Sequence, residues 1–574
     1  MKSNYITVVV LLFSINVFSQ GFEWVQHIGG TGHKYVNKSV MDDSDNVYLA
    51  GYFFGEADFD TSENNSVIFN TTDSNNIKAY VSKYNNVGDL EWATVIESSN
   101  IVYANTLSID NNGIYVAGQF IENVDFDSGT TVLTSSISSG FKMFVAFYDL
   151  NGNFQWVVDW TSSTAKTTPK DLLLDSQGNL HITGSYYEGI LKPDPISDID
   201  SYSSTRQKGF WITLNNLHEY VQSKQFGDIA NTWYNYDDVD NAILDESGNI
   251  LISGNFRGSF DFDFGSGTTL LENDNGGSFF AKYTLGGTLI WAKQLERVET
   301  QKIACDDDGN IFATGTYGGN VDFDPSDASE YFVQAFGTYY DNYLLKWDSL
   351  GNFNWAFGFG GNYGPSDRSY DIELDANTVY ITGSITFAGD IDFDPDPIDE
   401  YNITTYGFAD YFAARYSTDG DFIWAVNLNG DQASSSNVTG KSIMLNNEGK
   451  LLSVGEFSDM VNFNSGASSE IISAQGTQDI FLMQLDNELL GINDENFAPD
   501  LSVYPNPVTN DLFIKTKSLM QSVSVYNIKG QQMYFKDHND LESTINLSSL
   551  ASGIYLLKVN YAQGLIGLKR IIKN

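Results

Sequence analysis

The sequence predicts an all-β protein: a seven-bladed β-propeller closed by its N-terminal strand, followed by a small immunoglobulin-like β-sandwich. Three observations predict it. A short strand ending in glycine recurs seven times along the chain. A strand anchored by tryptophan recurs in step with it. The C-terminal stretch then changes charge and breaks into closely spaced strands.

The glycine strand reads Val47-Tyr-Leu-Ala-Gly51, and recurs ending at Gly118, Gly184, Gly254, Gly315, Gly383 and Gly455, each glycine followed by an aromatic or polar residue. The spacings are 67, 66, 70, 61, 68 and 72 residues, too long for helical solenoids and for 40–45-residue WD blades. A four-stranded blade with long loops fits. Each unit reads as a strand, a turn, the glycine strand, an Asp-Phe-Asp segment, a third strand and a tryptophan strand. In the glycine strand, Val47, Leu49, Gly51 and Phe53 share one face by period-two alternation. The outer anchors are Trp24, Trp92, Trp156, Tyr220, Trp291, Trp355 and Trp424. The first precedes the first unit and the seventh unit lacks its own. The strand around Phe22–Ile28 is therefore expected to complete the last blade, which leaves no open sheet edge. Residues 22–488 form the expected propeller. The third unit departs most, with Lys192-Pro193-Asp194-Pro195 in place of Asp-Phe-Asp.

The chain has 574 residues, 74 acidic and 30 basic, a net charge of -44 and one cysteine. That acidity disfavours nucleic acid and anionic lipid as partners. The lone Cys305 excludes an intrachain disulfide framework and a four-cysteine zinc site. Residues 497–574 carry eight basic and five acidic residues, so this segment is +3 and the rest of the chain -47. Short strands are expected over 501–504, 511–515, 521–526, 532–535, 544–547, 553–561 and 565–572, separated by turn residues. Seven short strands in so little chain argue a small sandwich over 500–574, joined by a linker over 489–499. At the other end, one lysine, an apolar run over 6–18 and Ser19 make a secretory signal peptide over 1–20, and no further stretch has the length of a membrane-spanning helix.

Four C-terminal blocks carry a resemblance: Tyr504-Pro505-Asn506-Pro507, Val523-Ser524-Val525-Tyr526-Asn527 with Gly530, Gly553-Ile554-Tyr555-Leu556-Leu557, and Lys569-Arg570-Ile571-Ile572-Lys573. They resemble the type A C-terminal sorting domain of cargo of the Bacteroidetes type IX secretion system. The resemblance implies export to the outer surface, removal of this domain by a sortase-like protease, and anchoring or release of the passenger. Tyr504, Pro505, Asn506, Pro507, Gly553, Tyr555, Lys569 and Arg570 stand at the matching positions. The upstream repeat resembles the propeller repeats of large extracellular Bacteroidetes proteins, which implies architecture and no particular activity.

Among polar features, the paired acids recur most: Asp58/Asp60, Asp125/Asp127, Asp261/Asp263, Asp322/Asp324 and Asp392/Asp394, with Asn462/Asn464 in the seventh unit. Residues two apart on a strand share a face, so each pair is a candidate calcium site. The competing expectation is that the intervening Phe packs while the acids cap turns, since two carboxylates fall short of the 6–8 oxygens calcium takes. Asp306-Asp307-Asp308-Gly309-Asn310 and Asp245-Glu246-Ser247-Gly248-Asn249 lack the EF-hand glutamate and read as hairpin turns. The five histidines are scattered, and no nucleophile elbow or P-loop exists. Loop aromatics that break the repeat, Trp160, Trp233, Tyr234, Tyr236, Tyr339 and Tyr340, are the expected ligand contacts. The expected function is binding of an extracellular glycan or protein, with a polysaccharide hydrolase or lyase as the alternative and no catalytic residues nominated.

Overall fold

A strand that is apolar on both faces must be covered on both sides, and the middle strands of the four-stranded sheets, such as Val47–Phe54 and Thr378–Ile385, are of that kind. The computed structural model describes residues 21–486 and 501–573, apart from segments 63–64, 72–75, 128, 130–131, 135–139, 198, 228–236, 327, 337–339, 362–366, 387–388, 399, 406–407, 429–435, 465–468, 517–518, 528–531, 552 and 562–565. The expected signal peptide and linker lie outside the described residues. The chain divides into two compact units, one over Phe22–Asp486 and one holding the C-terminal strands.

The larger unit is propeller-like. Its described residues build seven sheets with a common core of four antiparallel strands; the first of them gains two further short strands. In the sixth sheet the order is Arg368–Leu374, Thr378–Ile385, Asp410–Ser417 and Phe422–Leu428. The seventh contains Val438–Leu445, Leu451–Phe457 and Asp479–Leu485, and its fourth strand is Phe22–Ile28, paired antiparallel with Asp479–Leu485 from Ile28↔Ile480 to Phe22↔Leu485. The tryptophan anchors, and Tyr220 in their place, all fall on the outer strand of the four-stranded core of their sheet. Trp92 donates its indole N–H to Leu150 O at 3.1 Å and Trp355 to Thr418 O at 3.3 Å, so each fastens its sheet to a turn of the next.

Neighbouring sheets share their cores. Tyr48 and Val81 of the first pack with Ile114 and Phe144 of the second, and Leu49 and Tyr80 of the first pack with Val454 and Leu482 of the seventh. Sheet on both sides explains one departure from the sequence reading. Val47, Leu49 and Phe53 do share a buried face, but Tyr48 and Ala50 on the opposite face are also 0% exposed. Innermost strands pack side by side in chain order: His33–Met41, Ile101–Asp110, Lys166–Leu174, Asn241–Leu244, Val298–Cys305, Arg368–Leu374 and Val438–Leu445, the last returning against the first.

The recurring glycine has a single physical cause. In six of the seven sheets the innermost strand carries a β-bulge opposite it, as between Val36 and Lys38 or Thr300 and Lys302. Bulging drives a carbonyl of that strand into the neighbouring backbone. A Cβ on Gly51 would stand 2.0 Å from Tyr35 O, and one on Gly315 2.1 Å from Glu299 O; the other five glycines meet a backbone carbonyl in the same way. Only glycine tolerates that approach.

The smaller unit contains all seven expected strands. Ser502–Tyr504, Asp511–Lys515 and Glu542–Asn546 form one sheet; Gln532–Asp537, Met520–Asn527, Gly553–Tyr561 and Ile566–Lys573 form the other. Leu512, Ile514, Val523, Val525, Ile545, Leu557 and Val559 fill one core between them.

Gly315→Ala is expected to destabilise the protein by about 1–3 kcal/mol, because the new methyl meets backbone that cannot move aside. Urea unfolding followed by circular dichroism reads this as a lower midpoint; an unchanged midpoint would refute the steric account of the repeat.

Candidate functional site

The glycine–carbonyl contact, with a bulge opposite it in six sheets, sets a common register in all seven, so equivalent residues can be compared around the ring. Opposite the seven glycines stand Tyr35, Tyr103, Thr168, Asp238, Glu299, Arg368 and Thr439, whose carbonyls face them. Just after each glycine stand Tyr52, Gln119, Ser185, Asn255, Thr316, Ser384 and Glu456. These two rows lie at one end of the ring of innermost strands. They do not repeat, although the glycine, the bulge and the core around them do.

Three arcs of different chemistry result. An aromatic arc spans the first two sheets: Tyr35 stacks on Tyr52 at 4.5 Å, Tyr52 meets Tyr103 edge-on at 4.7 Å, and His33 stacks on Phe54 at 4.4 Å. All five rings are half-buried. An acidic arc follows, with Asp238, Asp240 and Glu299 around the Lys170 ammonium, which lies 3.2 Å from Asp240 Oδ1. Burial, and next to it the Asp240 carboxylate, push Asp238 well above the usual carboxylate range. The third arc is basic and aromatic. Lys441 Nζ stands 4.4 Å over the Tyr370 ring and 3.6 Å from Glu456 Oε2. Between the sixth and seventh sheets this arc encloses a pocket of about 270 Å³ lined by Arg368, Tyr370, Ser384, Phe408, Asn437, Thr439, Glu456 and Gln478.

Below the mouth, the next residues inward make a cross-axis ion network. Asp171 Oδ1 lies 3.8 Å from Lys38 Nζ and its Oδ2 3.8 Å from Lys302 Nζ, so one carboxylate of the third sheet serves lysines of the first and fifth. Asp371 Oδ2 accepts from Ser442 Oγ at 2.7 Å and Ile443 N at 3.0 Å. Burial and then the Lys302 ammonium lower Lys38 from its ordinary value. A cavity of about 590 Å³ opens beside this network, lined by innermost strands of five sheets. Glu373 faces it, pushed up to about 8 by burial and then by Asp371. Cys305 lines it too, its thiol pushed up to about 12 by burial.

The structure does not bring the candidate calcium residues together around a common point. Each pair sits on its own short hairpin, and among the described residues no group of three or more His, Cys, Asp or Glu could hold a metal ion. The first acid of each pair acts locally. Asp322 Oδ1 accepts Asp324 N at 3.0 Å and Tyr331 N at 2.7 Å. Asp58, Asp261 and Asp392 accept the equivalent two N–H groups, and Asp125 accepts Asp127 N. Asn462 does the same from Asn464 N and Glu470 N. Of the second acids, Asp60, Asp263, Asp324 and Asp394 each accept an N–H two residues on, and Asp127 presents its own N–H to Asp125. The Phe between each pair is buried, at 0–1% exposure from Phe59 to Phe463. The Asp306 and Asp245 segments are hairpin turns; Asp306 Oδ1 accepts Asp308 N and Asn310 N.

Of the loop aromatics, Trp233, Tyr234, Tyr236 and Tyr339 lie outside the described residues. Tyr340 is exposed, at 48%. Trp160 corrects the expectation: it is fully buried and donates its indole N–H to Pro193 O at 3.0 Å, closing the segment where the third unit departs from the repeat. The mouth residues were missed as candidates although the aligned sequence marks them, as the position that varies directly after an invariant glycine.

In the C-terminal unit, the Asn506 side chain accepts Ile572 N at 2.8 Å and Val508 N donates to Ile572 O at 2.7 Å, so the Tyr504–Pro507 block holds the last strand. Tyr555 lies in the core and donates its hydroxyl to Ala551 O, Tyr504 stacks on Phe513, and Lys569 is exposed; Gly553 opens the strand paired with the one bearing Lys569 and Arg570. Residues 502–574 match the family of secretion system C-terminal sorting domains. The protein is secreted or displayed at the cell surface. Its sorting domain engages the type IX secretion system, and among the described residues no helix is long and apolar enough to cross a membrane. The chain is 23% identical over 512 residues to an uncharacterized WD repeat-containing protein of Acanthamoeba polyphaga mimivirus, covering 77% of this chain and 36% of that one. It thus spans about a third of that relative's length. Among solved structures it is similar to the Dos1 propeller (11% identity, TM-score 0.36, 82% of this chain and 96% of that one). It is also similar to PorZ, a surface component of the type IX secretion system of Porphyromonas gingivalis (12% identity, TM-score 0.19, 94% and 86%).

Two variants separate local from metal-dependent use of the repeated acids. Asp322→Asn, which copies Asn462, is expected to leave the melting temperature unchanged, and Asp322→Ala to cost about 1–3 kcal/mol by orphaning two N–H groups. A rise of the natural protein's melting temperature in millimolar calcium would give the pairs a metal-binding use as well. Glu373 titrates within a measurable window. Its folded value lies above the unfolded one, so its contribution is complete below 4.5 and lost as the pH rises through about 8. Between these values the natural protein is expected to lose melting temperature relative to Glu373→Gln; parallel profiles would show that Glu373 is not buried on folding.

Proposed function

We propose that the Phe22–Asp486 unit is a closed seven-bladed β-propeller that works outside the cell as a binding module, with the channel mouth as its ligand site. The break in repetition at the mouth carries this reading. A ligand site needs asymmetry, and here seven near-identical frames hold an aromatic arc, an acidic arc and a basic-aromatic pocket. Half-buried tyrosines beside hydrogen-bonding groups suit a glycan or a protein hot spot. Closure is supported by the pairing of Phe22–Ile28 with Asp479–Leu485 and by the buried Lys34–Asp479 ion pair at 2.6 Å, which links the first and seventh sheets. Residues 1–20 serve as the signal peptide and 489–499 as the linker, and the sorting domain is removed by the sortase-like protease of its machinery. Calcium at the Asp-Phe-Asp pairs is an auxiliary part of the proposal.

A second reading, a polysaccharide hydrolase or lyase, draws on Asp238. An acid pushed toward its protonated form by burial and a second carboxylate is the arrangement glycoside hydrolysis uses. A glycan array and a polysaccharide panel applied to the secreted protein decide between them. Retention of a glycan or protein without new reducing ends is the expected result; turnover abolished by Asp238→Asn would overturn it. Removing residues 502–574 is expected to hold the protein in the periplasm, and normal export of that variant would refute the sorting assignment.

A further inference from the structure

We propose that the pocket between the sixth and seventh sheets binds a hexuronate residue of an acidic glycan. This rests on the mouth being the ligand site. The deciding observation is Arg368. In a chain with 74 acidic and 30 basic residues almost any cation can find a carboxylate, yet Arg368 is exposed and, among the described residues, makes no ion pair or side-chain hydrogen bond. Two acids that adjoin it in sequence or line the same pocket are committed elsewhere. Asp367, its neighbour in sequence, is buried and accepts Thr386 N at 2.8 Å and Gly361 N at 3.1 Å. Glu456 accepts Val36 N at 3.0 Å and Gln478 Nε2 at 2.7 Å and faces Lys441.

A guanidinium presents a planar fork that matches a carboxylate with two parallel bonds. The other groups around the same 270 Å³ pocket suit a sugar ring. Tyr370 and Phe408 offer aromatic faces, and Phe408 is 44% exposed. The side chains of Asn437, Ser384 and Thr439 line the pocket and, among the described residues, make no hydrogen bond, so hydroxyls of a pyranose can be paired. An acidic peptide would use Arg368 but has less use for the aromatic faces. The negative field of the whole protein does not forbid an anion here, because exposed charges are screened over about 8 Å at physiological ionic strength.

The test uses the secreted full-length passenger, titrated calorimetrically with trigalacturonate, trimannuronate, neutral galactotriose and an acetylated tri-aspartate peptide. At least one uronate is expected to bind at least tenfold more tightly than galactotriose and the peptide. Arg368→Ala is expected to remove that preference and Arg368→Lys to restore part of it. Asn437→Ala is expected to weaken the uronate without changing the preference for acid. Arg368 is exposed, so its variants should melt as the natural protein does. No uronate binding at millimolar concentration, equal binding of galactotriose, tighter binding of the peptide, or binding indifferent to Arg368→Ala each overturns the inference. If another glycan or protein still binds at the mouth, only the uronate assignment fails. If nothing binds there, the binding reading fails with it.

Discussion

One close contact organises the larger unit: a bulged innermost strand presses a carbonyl against a neighbouring Cα that carries no side chain. The contact fixes register, because a slip of one residue would place a Cβ in the carbonyl's path and turn every apolar side chain to the wrong face. It recurs at all seven glycines. With register fixed, the residues around it divide into those that must repeat, which build sheet-to-sheet cores, and those at the channel mouth, which are free to differ.

The charge follows the same division. Most repeated acids are short-range acceptors: Asp306, Asp348 and Asp175 each close a hairpin by accepting N–H groups two and four residues on. These bonds hold Asp348 and Asp175 below the usual carboxylate range despite partial burial. Several lysines are placed where they counter a buried carboxylate. Lys34 is paired with Asp479, Lys208 with Asp237, and Lys282 with Asp245. Removing one partner from such a pair typically costs about 3–5 kcal/mol, whereas an exposed pair contributes about 1 kcal/mol or less. A large negative charge is thus compatible with a compact fold, since many acids close turns, several buried ones are paired with lysines and others are solvated.

Periodic features were legible in the sequence because they are local. The glycine strands, the tryptophan anchors, the buried Phe of Asp-Phe-Asp and the seven C-terminal strands each follow from a few consecutive residues. What escaped the sequence depends on convergence. Lys38, Asp171 and Lys302 are separated by more than a hundred residues each, yet meet at one carboxylate. Trp160 looked like a free loop aromatic, and only the altered third unit, whose Pro193 carbonyl it reaches, explains its burial. The mouth escaped for a different reason: Tyr52, Ser384 and Glu456 follow the repeated glycine and share only an aromatic or polar character, and it is their variation against a fixed frame that marks the site.

The pairing of Phe22–Ile28 with Asp479–Leu485 also has a consequence in time. The strand made first finds its partner only after some 450 residues have followed it. Contacts so distant in sequence are slow to form, because a long loop must close before they return any stabilisation. Until then the seventh sheet lacks its outer strand and the first lacks a neighbour on one side. The closing pair cannot form before Asp479–Leu485 has been synthesised, so the Phe22–Ile28 strand has no partner until the rest of the unit exists.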